Sequence, residues 1–529
     1  MDRNPRIPLN ANLRDFALEQ LRKNVPLSLL RSECSAWAEK KWPGLLGNDT
    51  CRYRLTTHDT SSLYRTISRE RGIHQRTAAE ENLDKWFRAE KPQPPSPLLT
   101  QSCLYYQAHE KPKTDRFEII LSTAEMREAA WKYGHKKQVL MDLTFGVCSA
   151  RALLAILMAT DENGTGVPIC FIMFTARETA KATHADYDTA LLDRLLSKFK
   201  AQMGKNNQGE DFSILIGNTD NDIRERTALC SNWQEIFLIL CMFHIWQAWR
   251  NMLNRRLQLV PKGDQRQMVR KKLGQLLMEL LKEITEHNLA VARLTEEIKH
   301  WEKIGQKRDT SSKCQAKAAL DYLSYINTYV ENEAYWMSWS PAGAIEAARR
   351  LGIPVSRVAR TTNPLESFNG RIKGKYYKPY QHSGRLPRID MWILLLVTTV
   401  MPDFFKEQKG KKEMQDFYAS KRVLGAAAHS VSHGSTEASS SSPAESPQDR
   451  NPSEMESESF TSSSDDTSKS YHDNLIDKWL EELNNPTHED DKPHLESEED
   501  QMEDSLYRYL YATTHADLKL MIIFQNITC

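Results

Sequence analysis

The sequence predicts an α/β protein in which a mixed β-sheet flanked by helices is interrupted by an all-helical insertion, with a helical N-terminal region and a disordered acidic C-terminal tail. Three observations predict it. Between Gln138 and Leu253, short apolar runs rich in β-branched residues alternate with stretches of helical periodicity. From Gln258 to Ala347 the periodicity is helical throughout, as in Leu273, Leu276, Leu277, Leu280 and Leu281. From Ser430 to Asp504 the chain is rich in Ser, Glu, Asp and Pro, a composition that cannot bury a core.

In chain order, residues 1–90 read as a helical region and a candidate DNA-binding one. Leu13, Phe16, Leu18 and Leu21 form one helical stripe, and Leu27, Leu29, Leu30, Cys34 and Trp37 a second beyond Asn24-Val25-Pro26. Further helices are expected over Ser61–Arg71, closed by Gly72, and over Ala78–Phe87. The proline-rich break KPQPPSP, Lys91–Pro97, opens a linker and approach segment over 91–134. A first core segment, 135–257, then has strands at Gln138–Met141, ending at Asp142, at Leu153–Met158 and at Val167–Phe174, the last two joined by the turn DENGTG. An amphipathic helix over His184–Met203 follows, then a strand through Ile214–Ile216 ending at Asp220, a helix, a strand over Ile236–Cys241 and a helix marked by Trp246, Trp249 and Leu253. Three consecutive strands followed by alternating helices and strands is the order of a ribonuclease H-like domain, and other mixed α/β folds share parts of it. The helical insertion is placed at 258–347 and a second core segment at 348–425, with a buried helix over Met391–Phe405. The acidic tail spans 426–505, and residues 506–529 are apolar without an interpretable pattern.

Composition narrows the partners. The net charge of +1 hides a division, because residues 430–505 hold 21 acidic against 4 basic residues, whereas residues 1–429 hold 65 basic against 48 acidic. A basic body suits a polyanion such as nucleic acid, from whose phosphates Lys and Arg release counterions. The nine cysteines are scattered without a CxxC pair, which favours reduced thiols in a nuclear or cytosolic protein. The N-terminal sixteen residues show no apolar signal segment, and the apolar run Met391–Met401 is too short to span a bilayer, so no membrane partner is expected.

Several residues could carry chemistry. Asp142 puts a carboxylate in the apolar run VLMDLTFG, where an unpaired charge is costly unless a cation or a hydrogen-bond network meets it. In the segment TDND, Asp222 followed by Glu225 fits a capping box, which leaves Asp220 free at the end of its strand. Glu366 is open to two readings: a capping-box acid of the helix start Asn363-Pro364-Leu365-Glu366, with Pro at the first position, or a third functional acid. Three converging carboxylates could hold two Mg²⁺ or Mn²⁺ ions, because hard cations prefer oxygen ligands and a metal pair can activate water or a 3′-hydroxyl against a phosphodiester. Cys241 and His244 form half of a zinc site, with a structural role favoured over zinc. Arg371, Lys373, Lys375 and Lys378, interleaved with Tyr376, Tyr377 and Tyr380, suit phosphate holding and base stacking.

The blocks VLMDLTFG, ILIGNTDND with CMFHIWQAWRN downstream, and TTNPLESFNGRIK together resemble the transposase domain of Mutator-like elements. The resemblance implies a ribonuclease H-like fold and an Asp-Asp-Glu triad of Asp142, Asp220 and Glu366 binding two Mg²⁺ or Mn²⁺ ions, with Cys241 and His244 as the C-x-x-H signature. It further implies a nuclear enzyme, a homo-oligomer on DNA, that cuts at terminal inverted repeats and joins the freed 3′-hydroxyl to target DNA. Neither the N-terminal zinc finger nor the C-terminal SWIM-type finger frequent in that family is evident, and the acidic tail is foreign to its catalytic part. The alternative is a domesticated, non-catalytic derivative that binds DNA and regulates transcription, with the tail as an activation segment.

Overall fold

A computed structural model describes residues 7–432, apart from residues 24, 26, 49, 75–76, 89, 110–114, 151, 178–186 and 379–385. The expected acidic tail and the last apolar stretch lie outside the described residues. Helices α1 (Ala11–Arg22), α2 (Leu27–Lys41) and α3 (Thr57–Glu70) pack their apolar stripes together through Leu13, Ala17, Leu21, Leu30, Cys34, Leu63 and Ile67. Asn10 starts α1 by accepting from the amides of Asn12 and Leu13, and a reciprocal Thr56–Asp59 capping box starts α3. Helices α4 (Ala79–Phe87) and α5 (Pro97–Ser102) follow, and Pro97, the last residue of the proline-rich break, opens α5.

The segment 91–134, read from sequence as linker and approach, supplies two strands, β1 (Cys103–Gln107) and β2 (Glu118–Leu121), then α6 (Ala124–Ala129) with a π-helical turn, Ala130–Gly134. The expected strand and helix order follows: β3 (Gln138–Thr144), β4 (Ala152–Thr160), β5 (Gly166–Thr175), α7 (Thr189–Met203), β6 (Ile216–Thr219), α8 (Ile223–Asn232), β7 (Phe237–Leu240) and α9 (Met242–Leu257). Several bounds differ from expectation. β3 runs past Asp142 to Thr144, so Asp142 lies inside the strand, opposite Ile156. β6 begins at Ile216, where the parallel partner Gln138 first comes into register. The helix expected from His184 begins at Thr189, capped by Asp188, and His184 itself lies outside the described residues.

The seven strands form one mixed sheet in the order β1-β2-β5-β4-β3-β6-β7. The first four pairings in that order are antiparallel; β3–β6 and β6–β7 are parallel. β4 and β5 are buried along nearly their whole length, which explains their continuous apolar runs. Asp161 closes the turn between them by accepting from the amides of Asn163 and Thr165, with Gly164 at φ +76°.

Beyond α9 the chain is helical: α10 (Asp264–Met278) with a π-helical turn (Glu279–Glu283), α11 (His287–Gly305), α12 (Thr310–Val330), α13 (Glu333–Trp339) and α14 (Pro341–Leu351). Their core is continuous with α9, where Trp246, Trp249 and Leu253 pack with Leu273, Leu277, Tyr322 and Trp336. The chain then returns to the sheet, where Ala347, Ala348 and Val358 cover Ile216 and Ile239. Helix α15 (Asn363–Arg371), a π-helical turn (Ile372–Tyr377) and the fully buried α16 (Ile389–Leu395), also ending in a π-helical turn (Leu396–Val400), complete this unit. Asp390 of α16, wholly buried, is held by Arg388 and by the Asn82 amide of α4. Helix α17 (Met401–Ser432) belongs to a separate unit. No helix among the described residues is long and apolar enough to cross a membrane.

Asp59 offers a check on the N-terminal helices. Burial works against its charge, but Arg52, 2.7 Å away, and Thr56 outweigh it and hold the carboxyl at about 2. Its contribution is therefore present above pH 4 and is lost as pH falls towards 2. Asp59→Asn should weaken protection of α3 amides in hydrogen exchange by about 1 kcal/mol at pH 7, solvent screening trimming the effect, and the difference should close between pH 4 and 2.

Candidate acidic active site

Asp142 and Asp220 meet because of strand register. Leu140 and Asn218 are partners in the parallel pair β3–β6, and each acid lies two residues further along the chain, at the same carboxyl edge of the sheet. Asp142 is half-buried after Leu140 and Met141; Asp220 is the first residue beyond β6. Glu366 comes from α15, which packs Phe368 on Phe171 of β5 with ring centroids 5.9 Å apart. Phe171 opposes Ile156, which opposes Asp142, so α15 crosses the face that presents the first acid. Burial and then the charge of Asp220 raise the Asp142 carboxyl to about 7, against an opposing pull from His244 and with a smaller push from Glu366. Three residues far apart in sequence thus act on one another at one sheet edge.

The capping reading of Glu366 does not describe α15. Thr362 is the cap residue, Asn363 the first helical residue and Pro364 the second, so Glu366 falls one position beyond the reach-back place of a capping box. The Thr362 hydroxyl makes no cap hydrogen bond; it donates to Cys241 Sγ at 3.2 Å, and the Thr362 amide donates to the same sulfur at 3.3 Å.

Cys241 caps α9 from the end of β7, and His244 lies in the first turn. His244 Nδ1 is 2.6 Å from Asp220 Oδ1, yet both atoms lack an aligned hydrogen-bond partner among the described residues. The distance is that of an ion pair and the direction is not that of a hydrogen bond. Burial disfavours the imidazolium, but Asp220 and Cys241 outweigh it and hold His244 up at about 12. One donor atom each of Asp220, Cys241 and His244 lies within 4.8 Å of the others. The structure thus sets Asp220 beside Cys241 and His244, the pair for which sequence favours a structural role over zinc, a neighbour that spacing could not supply.

The donor chemistry separates two sets. Asp142, Asp220 and Glu366 offer only oxygens, the donor type of a hard cation such as Mg²⁺ or Mn²⁺, and their mutual repulsion is what a bound cation would relieve. Asp220, Cys241 and His244 mix oxygen, sulfur and nitrogen, a set for a softer ion. Asp220 belongs to both.

Asp222 caps α8, its side chain accepting from the Arg224 amide, and it pairs with the Arg224 guanidinium at 2.6 Å while accepting from the Tyr187 hydroxyl. Glu225 does not complete the expected capping box. It is 3% exposed, its Oε2 has no partner among the described residues, and burial with the charges of Asp222, Asp220 and Asp142 pushes it well above the usual range. A charged residue in a helix start reads as a cap in sequence, and only the packing of α8 reveals a buried carboxyl behind the acids.

Of the basic residues, Lys373 reaches the site, donating to Thr144 Oγ1 at 3.1 Å and to the Phe145 carbonyl just beyond Asp142. Arg371 and Lys375 gather on Tyr376, and Lys378 is exposed. Tyr376 and Tyr377 are buried, the latter stacked on Trp392 with its hydroxyl on the Trp392 carbonyl, so they are not available to stack on bases. Tyr380 lies outside the described residues.

What holds the third acid in place is the backbone before it. Gln138, 4% exposed, donates to the Ala359 carbonyl at 2.7 Å and accepts from its amide at 2.9 Å; Asn218, wholly buried, donates to the same carbonyl at 2.8 Å. The Met242 amide donates to the Arg360 carbonyl at 2.8 Å. Searches against protein-family models and curated protein sequences found no match to the chain.

Gln138→Leu keeps the volume but strips Ala359 of two hydrogen bonds. It should cost about 1–3 kcal/mol in chemical denaturation. In the same protein, protection of the 359–366 amides against hydrogen exchange should fall more than that of β4 and β5.

Proposed function

We propose that the protein is a DNA transposase of the Mutator-like class, with a ribonuclease H-like catalytic domain and a metal-dependent Asp142, Asp220, Glu366 site. The observation that carries this reading is the meeting of Asp142 and Asp220 at the carboxyl edge of adjacent parallel strands, with Glu366 close enough to raise the Asp142 carboxyl. The strand order supports it: three consecutive antiparallel strands, then two parallel strands, each reached through a helix. The three blocks of sequence that resemble Mutator-like transposases supply the same three acids.

In this reading Asp142, Asp220 and Glu366 would hold Mg²⁺ or Mn²⁺, and the ions would supply activation of a water or 3′-hydroxyl and stabilisation of the leaving oxygen of a phosphodiester. Lys373, fixed to Thr144 and Phe145 at the end of β3, would meet a DNA phosphate there. Cys241 positions Thr362 and with it the start of α15. The enzyme would work in the nucleus as a homo-oligomer on DNA ends. The second reading is a DNA-binding regulator without catalysis. The Asp220–His244 contact favours it, since it gives the second acid a counter-charge from the chain itself.

Cleavage of DNA carrying the terminal repeats that flank the gene tests the proposal. Asp142→Asn, Asp220→Asn and Glu366→Gln should each cut at least ~10³-fold more slowly, the several kcal/mol of charge stabilisation that a metal-held carboxylate provides, while retaining DNA binding. Wild-type cutting that persists in EDTA, or that survives all three substitutions, refutes the enzyme. Asp222→Asn should stay within about tenfold of wild type, because Asn still caps α8. Mn²⁺ should raise the wild-type melting temperature more than that of Asp142→Asn.

A further inference from the structure

Asp220, Cys241 and His244 bring three kinds of donor to one place. A carboxylate oxygen, a sulfur and an imidazole nitrogen lie within 4.8 Å of one another. Asp220 comes from the end of β6, Cys241 from the end of the parallel neighbour β7 and His244 from the first turn of α9, so the strand pairing itself delivers the group. Zn²⁺ takes oxygen, sulfur and nitrogen donors alike, and its open sites use three protein ligands with water in the fourth position.

Spacing, outer shell and access all fit such an ion. A tetrahedral ion with bonds of about 2.0–2.3 Å holds its donors about 3.3–3.6 Å apart. The Asp220–His244 contact, at 2.6 Å and misaligned for a hydrogen bond, has to open by less than ~1 Å to admit one. Cys241 is wholly buried, yet the Thr362 hydroxyl and amide both donate to its sulfur, at 3.2 and 3.3 Å. A thiol is a weak acceptor, whereas a metal-bound thiolate keeps its charge and takes such donors as its outer shell. The side chains of His244 and Asp220 are 29% and 30% exposed, so the group borders solvent and an ion has a way in.

We propose that Asp220, Cys241 and His244 form a Zn²⁺ site with water as fourth ligand, and that zinc bound there withdraws Asp220 from the hard-cation set it shares with Asp142 and Glu366. Zinc is then an inhibitor of the acidic site. The zinc site stands on its own three donors; the competition rests on the proposed metal-dependent function and is tested separately.

The full chain, reduced, is titrated with Co²⁺ as a spectroscopic substitute for Zn²⁺, as wild type, Cys241→Ser, His244→Gln and Thr362→Val. Wild type should show a thiolate-to-cobalt charge-transfer band that Zn²⁺ bleaches and Mg²⁺ does not. Cys241→Ser should lose the band. Thr362→Val keeps all three ligands and removes one donor to the sulfur, so it should retain the band with affinity about tenfold lower; His244→Gln should lose at least as much. A band absent from wild type, or at full strength in Cys241→Ser, overturns the site. Should Cys241→Ser fail to fold, unchanged Co²⁺ affinity in both His244→Gln and Thr362→Val overturns it. Bound Mn²⁺, read by electron paramagnetic resonance, should be released by Zn²⁺ from wild type and not from Cys241→Ser. Zn²⁺ and Mn²⁺ binding together without competition overturns the withdrawal of Asp220. If wild type binds no Mn²⁺ even without Zn²⁺, the acidic-site reading fails and the competition with it, while the cobalt spectra still decide the zinc site.

Discussion

The edge-on meeting of three acids depends on how one short backbone segment, Val358–Thr362, is fastened across the sheet. Its groups find partners in side chains that an apolar sheet face would not ordinarily carry: Gln138 of β3 and Asn218 of β6, both buried. Cys241, at the end of β7, accepts two hydrogen bonds from Thr362. A buried amide without a partner costs about as much as the bond it lacks, so these side chains and that backbone require each other. The third acid inherits its position from this fastening, since α15 begins at the residue after Thr362.

The fastening holds together groups that repel. Burial, Asp220 and Glu366 raise the Asp142 carboxyl, and burial with the charges of Asp222, Asp220 and Asp142 pushes the buried Glu225 up as well. His244 offsets part of this charge at 2.6 Å from Asp220. Such a site keeps its carboxylates close at a cost in stability that the surrounding core must cover, which is the arrangement expected where carboxylates are gathered for cations. The rigid parts are the long apolar strands β4 and β5 on one side and the tryptophan-rich core shared by α9 and the helical insertion on the other.

That shared core also explains why the insertion sits where it does. Helix α9 carries His244 at its start and Trp246, Trp249 and Leu253 along its buried face, so the helices that follow pack on the element that bears part of the site. Tyr335 of the insertion in turn reaches the loop between Asp220 and Asp222 through Asn221. The insertion thus shares its core with the helix that carries His244 and belongs to the same compact unit as the sheet.

Local pattern alone determined much of this protein. Apolar runs marked β3 to β7, three-to-four periodicity marked the insertion, and Asp222 was legible as the cap of α8, because strand burial, helical faces and helix caps are decided by neighbours within a few residues. The α/β class followed from their order. What tertiary structure alone decided are the relations between distant residues. β1 and β2 hide in a segment with a proline-rich start because their strand character comes from pairing, β2 with β5 and β1 with β2. The Asp220–His244 contact, the grip of Cys241 on Thr362 and the buried states of Glu225 and Arg226 depend on which helix faces which edge of the sheet. No spacing encodes a three-dimensional approach across more than a hundred residues, and a charged residue at a helix start looks the same in sequence whether its side chain meets water or the core.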